Sequence, residues 1–253
     1  MRPLDSVRSS TSMEIQMSAQ LAPAPTLPSA FASAMAATGF LEAGAAESRD
    51  AYWDGGLATA GGVQHIVSDS EIYGEGGEAV FFYKVVRGMV RTCKFLSDGR
   101  RQIEAFYEEG DTFGFEAGDK HRVTAEAVMD CSLVAYRRKG IERLALSNEA
   151  LSQQLFGYFI DGMTRAQEHA LILGRRSAVE RVGVFLHALT QRSSDARTIN
   201  LALTRQDIAD YLGLTIETVS RTFSQLERDA IIALPTPREV KIQNPAWLKS
   251  LCA

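Results

Sequence analysis

Cysteine and histidine are scarce in this chain, with three Cys and four His in 253 residues. Cys93, Cys131 and Cys252 are too few and too scattered for a disulfide framework or a closed four-ligand metal site, a usage that suits a reducing cytoplasm. His65, His121, His169 and His187 include no His-x-His pair, and two of them fall in a helical-patterned region. The converging His and carboxylate set of a cupin-type metal oxygenase is therefore missing. No apolar run approaches the roughly 20 residues needed to span a bilayer, so no transmembrane helix is expected. Nor do the Ser, Cys and Gly residues assemble a nucleophile or phosphate loop: GEGGEA at 74–79 follows a strand, but no helix pattern follows it. These absences point away from an enzyme, and neither cofactor nor metal is expected.

An overall basic excess is absent too, since Lys+Arg 27 against Asp+Glu 31 gives a formal net charge of -4. That balance is uneven along the chain. From Arg175 onward, 11 basic residues face 8 acidic ones; before it, 16 face 23. The C-terminal part is thus the one whose charge permits phosphate attraction. A hydrophobic fraction of 45% with 23% charged residues is that of a globular protein, long enough for two domains.

Residues 1–60 are rich in Ala, Ser, Pro, Gly and Thr without strand or helix period, and a flexible tail is expected there. Across 61–147 the texture changes to short β-branched and aromatic runs such as AVFFYKVV, GMVRTCKFL, RQIEAFY and CSLVAYR, separated by Gly and Asp. Alternation at this spacing, with the hairpin signal Ser97-Asp98-Gly99, predicts an antiparallel sandwich or barrel. Over 148–174 the period becomes helical. One stripe carries Leu155, Phe159, Gly162, Ala166, His169 and Leu173, and beside it lie Phe156, Ile160 and Met163. A helix apolar over this much of its circumference calls for two partners, its own β domain and a twin helix. An intramolecular core helix fits the same pattern. Leu155, Phe159, Gly162, Met163, Ala166 and Leu173 are the expected homodimer seam. A second helix is read over 178–190, burying Val179, Val182, Phe185, Leu186 and Leu189.

The region 175–253 contains the informative stretch, TRQDIADYLGLTIETVSRTFSQLERD at 204–229. Thr204 with Asp207 three residues on is a capping-box-like start; Ile208, Ala209 and Leu212 form an inward face, and Gly213 ends the helix. Thr215 caps a second helix that is expected to bury Ile216, Val219, Phe223 and Leu226. Glu217, Thr218, Ser220, Arg221 and Thr222 are expected outward. Two helices around a turn of this length make a helix-turn-helix. Its chemistry suits double-stranded DNA: Arg can fork onto guanine O6 and N7, Glu can accept from cytosine N4, and Ser can serve several bases. Glu217, Ser220 and Arg221 are the candidate base readers. A solvated Glu-Arg pair four residues apart would also account for two of them. Further DNA contacts are expected from Thr204, Arg205, Thr215, Thr218 and Thr222. Beyond Asp229, AIIALPTPREVKIQN reads as a two-stranded wing, with Arg238 and Lys241 placed for the DNA backbone.

With these parts in order, the chain after residue 60 resembles the CRP/FNR superfamily of bacterial regulators, in its FNR and FixK branch. The branch's Glu-x-x-Ser-Arg pattern stands here as Glu217, Ser220 and Arg221, preceded by DIADYLGLT. The resemblance implies an α+β chain: an N-terminal antiparallel β-roll of the cyclic-nucleotide-binding type, a long central dimerisation helix and a C-terminal winged helix-turn-helix. It further implies a cytoplasmic homodimer that reads a TTGAT/ATCAA-like palindrome and activates transcription mainly by recruiting RNA polymerase, in low-oxygen, nitrogen-fixation or denitrification circuits.

The departures from the superfamily matter as well. The first 92 residues hold no Cys, so the four-cysteine iron-sulfur cluster of FNR proper is impossible within one chain. In GDTFGFEAGDKHRVTAEA, Phe115 follows Gly114, the carboxylate is displaced to Glu116, and Val123 rather than Ser follows Arg122. Cyclic AMP is not expected to bind. An unknown effector in the β-roll is the open alternative. Cys93 and Cys131 are expected to be buried packing residues, and Cys252 the accessible thiol.

Overall fold

The structure, a computed structural model, describes residues 62–192, 195 and 197–252, so the tail expected over 1–60 lies outside the described residues. Eight short strands come first: β1 (Val63–Ile66), β2 (Glu71–Tyr73), β3 (Phe81–Arg87), β4 (Val90–Phe95), β5 (Arg101–Tyr107), β6 (Thr112–Phe113), β7 (Thr124–Ala127) and β8 (Cys131–Arg137). They pair antiparallel into two four-stranded sheets, in the orders β1-β8-β3-β6 and β2-β7-β4-β5. The alternation seen in the sequence is realised in β8, where Cys131, Leu133 and Ala135 are buried and Ser132 and Val134 are half-buried. Between β4 and β5 the expected turn forms, with the Gly99 N–H donating to the Leu96 carbonyl at 2.9 Å and Gly99 at φ 84.

Strand β3 buries side chains on both of its faces, and this places the helices. Tyr83 and Val85 point into the space between the sheets with Val90, Phe113 and Leu133. Phe82 points the other way, onto Tyr136, Ile141 and Leu151. Ile141 belongs to α1 (Arg138–Ser147), and Leu151 to α2 (Glu149–Leu173). Helix α1 is an addition to the sequence reading, which began the helical region only at 148. Ile141 is its sole buried residue and Gly140 sits in its first turn, so its apolar period is too weak to read. Asn148 starts α2 by accepting from the Leu151 N–H at 3.0 Å.

After α2 come α3 (Ala178–Arg192), β9 (Thr198–Asn200), α4 (Arg205–Leu212), α5 (Ile216–Arg228), β10 (Ile232–Thr236), β11 (Glu239–Ile242) and α6 (Pro245–Ser250). Strands β10, β11 and β9 form an antiparallel sheet in that order, so the expected two-stranded wing gains a third strand too short to show a period. Helix α6 was not expected either. It seats Trp247 and, just beyond it, Leu251 against α3 at Gly183, where a β-carbon would collide with Leu251. The second core joins Val182, Phe185 and Leu186 to Ile208, Leu212, Val219, Phe223, Leu226, Ile232, Val240 and Leu248. Each such side chain contributes about 1.5–3 kcal/mol by leaving water, which holds α4 and α5 to one crossing. Among the described residues, no helix is long and apolar enough to cross a membrane.

Candidate nucleic-acid interface

Local chemistry sets the start and stop of both helices in the helix-turn-helix. The Thr204 hydroxyl accepts from the Asp207 N–H at 3.1 Å while the Asp207 carboxylate accepts from the Thr204 N–H, also at 3.1 Å, a complete capping box. Gly213 closes α4 at φ 62, a left-handed conformation that glycine adopts without strain. Thr215 then caps α5 by accepting from Thr218 N–H at 3.2 Å.

The apolar side of α5 is Val219, Phe223 and Leu226, all fully buried as expected. Two residues depart from the reading. Thr222 was placed outward as a DNA contact, yet it is 4% exposed and its hydroxyl donates to the Thr218 carbonyl at 2.8 Å. It stands three residues after Val219 and four before Leu226, hence on the buried face, with its polar atom satisfied inside the helix. Ile216 was placed inward, yet it is 38% exposed. At the first position of the helix it lies beyond the end of the packed seam and faces solvent.

The outward side of α5 is an open, nearly flat surface formed by Ile216, Glu217, Ser220 and Arg221, all exposed. Arg221 Nε donates to the Glu217 carbonyl oxygen at 3.4 Å. The Glu217 carboxyl is held below its ordinary range by its own backbone N–H first and by the Thr215 hydroxyl next, with Arg221 contributing less. It is an ionised acceptor at the positive end of a helix, beside an exposed guanidinium whose two terminal nitrogens have no hydrogen-bond partner among the described residues.

The other sequence-picked residues fall into two groups. Thr215 and Thr218 sit at the start of α5 with hydroxyls 3.1 Å apart, and Arg238 is exposed at the tip between β10 and β11. Lys241 is exposed on β11 with its ammonium 3.5 Å from Glu239. Two residues are engaged elsewhere. The Arg205 guanidinium lies 3.7 Å over the Phe223 ring, and burial pulls its pKa down. The Thr204 hydroxyl donates to Asp207 Oδ2 at 2.7 Å in addition to its capping bond.

On α2 the expected seam divides. Its middle is open: Phe159 and Met163 are about half exposed, with Phe156 and Ile160 beside them, and Gly162 and Ala166 are exposed. Its ends pack within the chain. Leu155 lies against the cluster of Phe82, Tyr136 and Leu151, and Leu173 lies against Gly213. His169 is buried, its ring stacked 3.9 Å from that of Tyr211 with Nε2 2.8 Å from the Tyr211 carbonyl. The end residues Leu155 and Leu173 thus serve the protomer's own cores, which the helical period alone does not distinguish.

In the β-roll, Glu116 and Arg122 satisfy each other. Glu116 accepts from Arg122 N–H at 3.0 Å and from its Nε at 2.9 Å, and the carboxylate is 4% exposed. Arg138 draws the same segment inward, donating to the carbonyls of Glu116, Gly118 and Ala79. The carboxylate and guanidinium that a sugar phosphate would call on are therefore paired with each other. The two β-roll cysteines are buried as expected and Cys252 is exposed.

Residues 63–148 match the cyclic nucleotide-binding domain family, and residues 180–251 match the Crp-like helix-turn-helix domain family. The nitrogen fixation regulation protein FixK of Azorhizobium caulinodans is 47% identical over 188 residues, covering 72% of this chain and 76% of that protein. FixK of Rhizobium meliloti is 43% identical over 182 residues, covering 72% and 83%. Among solved structures, FixK2 from Bradyrhizobium japonicum superimposes with a TM-score of 0.71 at 41% identity, over 76% of this chain and 96% of that one.

Proposed function

The chain belongs to the CRP/FNR family of transcription regulators, and on that footing we propose that it is a homodimeric activator reading a TTGAT/ATCAA-like palindrome in nitrogen-fixation or other low-oxygen gene control. The observation that carries this reading is the exposed quartet Ile216, Glu217, Ser220 and Arg221, presented at the N-terminal end of a helix whose other face is fixed in a core. In the major groove Arg221 forks onto guanine O6 and N7, Glu217 accepts from cytosine N4, and Ser220 serves a neighbouring base. Ile216, which the sequence reading buried, supplies apolar surface suited to a thymine methyl. Thr215, Thr218, Arg238 and Lys241 position the protein on phosphates, Lys241 exchanging Glu239 for the DNA backbone.

The proposed division of labour is a β-roll over 61–147, a dimerisation helix over 148–174 and a DNA-binding domain over 175–253. Phe156, Phe159, Ile160 and Met163, with Gly162 and Ala166 allowing close approach, are the surface for the twin helix. Two copies so joined set their recognition helices about one DNA turn apart, roughly 34–36 Å, which matches a palindrome. RNA polymerase is the partner recruited at the promoter, in the cytoplasm. The Glu116–Arg122 pairing supports control without cyclic AMP.

Purified protein should therefore bind the palindrome in air, without added iron and without cyclic AMP. A rise in operator affinity of tenfold or more on adding cyclic AMP, or only after cluster reconstitution, would overturn effector-free control.

A further inference from the structure

The β-roll and the helix-turn-helix meet through buried charges that DNA reading does not use. Arg91 of β4 places Nη1 3.1 Å from Asp207 Oδ1, and Arg101 of β5 places Nη2 2.8 Å from the same oxygen. Arg101 Nε is also 2.7 Å from Asp210 Oδ2. Glu126 of β7 sits beneath both, 2.8 Å from Arg91 Nε and 3.5 Å from Arg101 Nη1. The side chains of Asp207, Arg91 and Asp210 are 2%, 9% and 10% exposed. Charges this far out of water are stable only with their partners in place, so the cluster tolerates one relative placement of its two sides.

Those two sides are the β-roll and α4. The other oxygen of Asp207 closes the capping box with Thr204, so one carboxylate both starts α4 and anchors it to the β-roll. Toward its other end, α4 is held at Tyr211, whose carbonyl accepts from Gln102 at 3.3 Å and lies 2.8 Å from His169 Nε2. The Tyr211 ring meets that of Phe106 at 5.2 Å. Helix α4 is thus gripped along its length by β4, β5 and α2. Helix α5 shares its core, so the direction of the reading face follows α4.

We propose that this cluster fixes the reading head in its DNA-binding posture without a bound effector, with Arg101 acting as a positioning residue through Asp207 and Asp210. The proposal rests on the effector-free, DNA-reading function above. It gives the β-roll a remaining task in that function, that of a rigid strut whose grip is ionic.

The test is a charge swap in the full chain. Arg101→Glu, Asp210→Arg and the double variant are titrated against the palindrome and a scrambled duplex. Each is also exposed to trypsin, scoring cleavage after Arg175 or Arg176 in the segment between α2 and α3. Each single variant should lose about tenfold or more in operator affinity, with scrambled-duplex affinity little changed and cleavage faster; the double variant should bind better and resist cleavage better than Arg101→Glu, recovering the share of the loss that belongs to the 101–210 pair while the new carboxylate still faces Asp207 and Glu126. A general packing defect would not be repaired by reversing the pair. Singles that bind and resist cleavage like the parent, or a double no better than Arg101→Glu, would overturn the proposal. If the parent does not prefer the palindrome, the DNA-reading function fails, and cleavage alone then decides: faster in the singles and slower in the double than in Arg101→Glu supports the strut, unchanged in the singles refutes it. Should Arg101→Glu not fold, Arg101→Gln, Asp210→Asn and their double replace the swap: each single should weaken operator binding and speed cleavage with the double losing less than the two singles together, and a double whose losses are the sum of the singles' would overturn the proposal.

Discussion

Arg205 and Phe223 bind the two helices of the reading head together, the guanidinium of one lying 3.7 Å over the ring of the other. A cation on an aromatic face is worth about 0.5–2 kcal/mol, more as water is excluded. Arg205→Ala is expected to lower stability by about 1 kcal/mol while leaving base preference and the salt dependence of DNA binding unchanged. Chemical denaturation and operator titrations at two salt concentrations check this. A shallower salt slope would return Arg205 to the phosphate contacts.

Ala166→Glu should split the dimer. The residue is exposed in the protomer and beside Gly162, where an added β-carbon would meet nothing within 4 Å, so the substitution leaves the protomer's own cores alone. Sedimentation should show a monomer that folds and binds palindromic DNA poorly. A variant that stays dimeric with normal operator binding would place the seam elsewhere.

Acid should weaken the fold through two histidines. Burial is the main cause holding His169 and His121 below the ordinary value of 6.5. Between that value and the lower folded one, the unfolded chain binds more protons, so stability falls as the pH drops below about 6.5 and levels off once the folded rings also titrate. Urea midpoints measured from pH 7.5 down to 5 should decline in the parent and decline less in His169→Gln. An equal decline would assign the acid sensitivity to other groups.

Thiol reactivity should separate the cysteines. Burial pushes Cys93 up to about 11 and Cys131 upward as well, whereas Cys252 is exposed. A thiolate reagent at neutral pH should modify Cys252 alone in the folded protein and all three after denaturation, as read by mass spectrometry. Rapid modification of Cys93 without loss of structure would contradict the burial argument.

What was readable in the sequence was what local chemistry decides. Thr204, Asp207, Gly213 and Thr215 each act within three residues of a helix end, and their caps form as the spacing predicts. Val219, Phe223 and Leu226 were legible because α5 repeats its apolar side over two turns. Ile216 and Thr222 were misread because a period fixes an angle around a helix and not where the packed seam ends or how a hydroxyl is satisfied. Strand β9 and helix α6 are too short for any period. The Arg91, Arg101, Asp207 and Asp210 cluster joins residues more than a hundred positions apart, and nothing local to any of them marks it.

The most direct measurement is a titration of Arg221→Ala and Lys241→Ala against the palindrome and its single-base variants at two salt concentrations. Base contacts and phosphate contacts fail differently. Losing a bidentate base contact costs about 1–3 kcal/mol of discrimination at that base, whereas losing a phosphate contact weakens all sequences alike and makes the salt dependence shallower. Arg221→Ala should lose its preference at the G of the TTGAT-like half-site while keeping non-specific binding, and Lys241→Ala should weaken every duplex modestly. If Arg221→Ala instead weakened every duplex by the same factor with discrimination at G intact, Arg221 would not be a base reader.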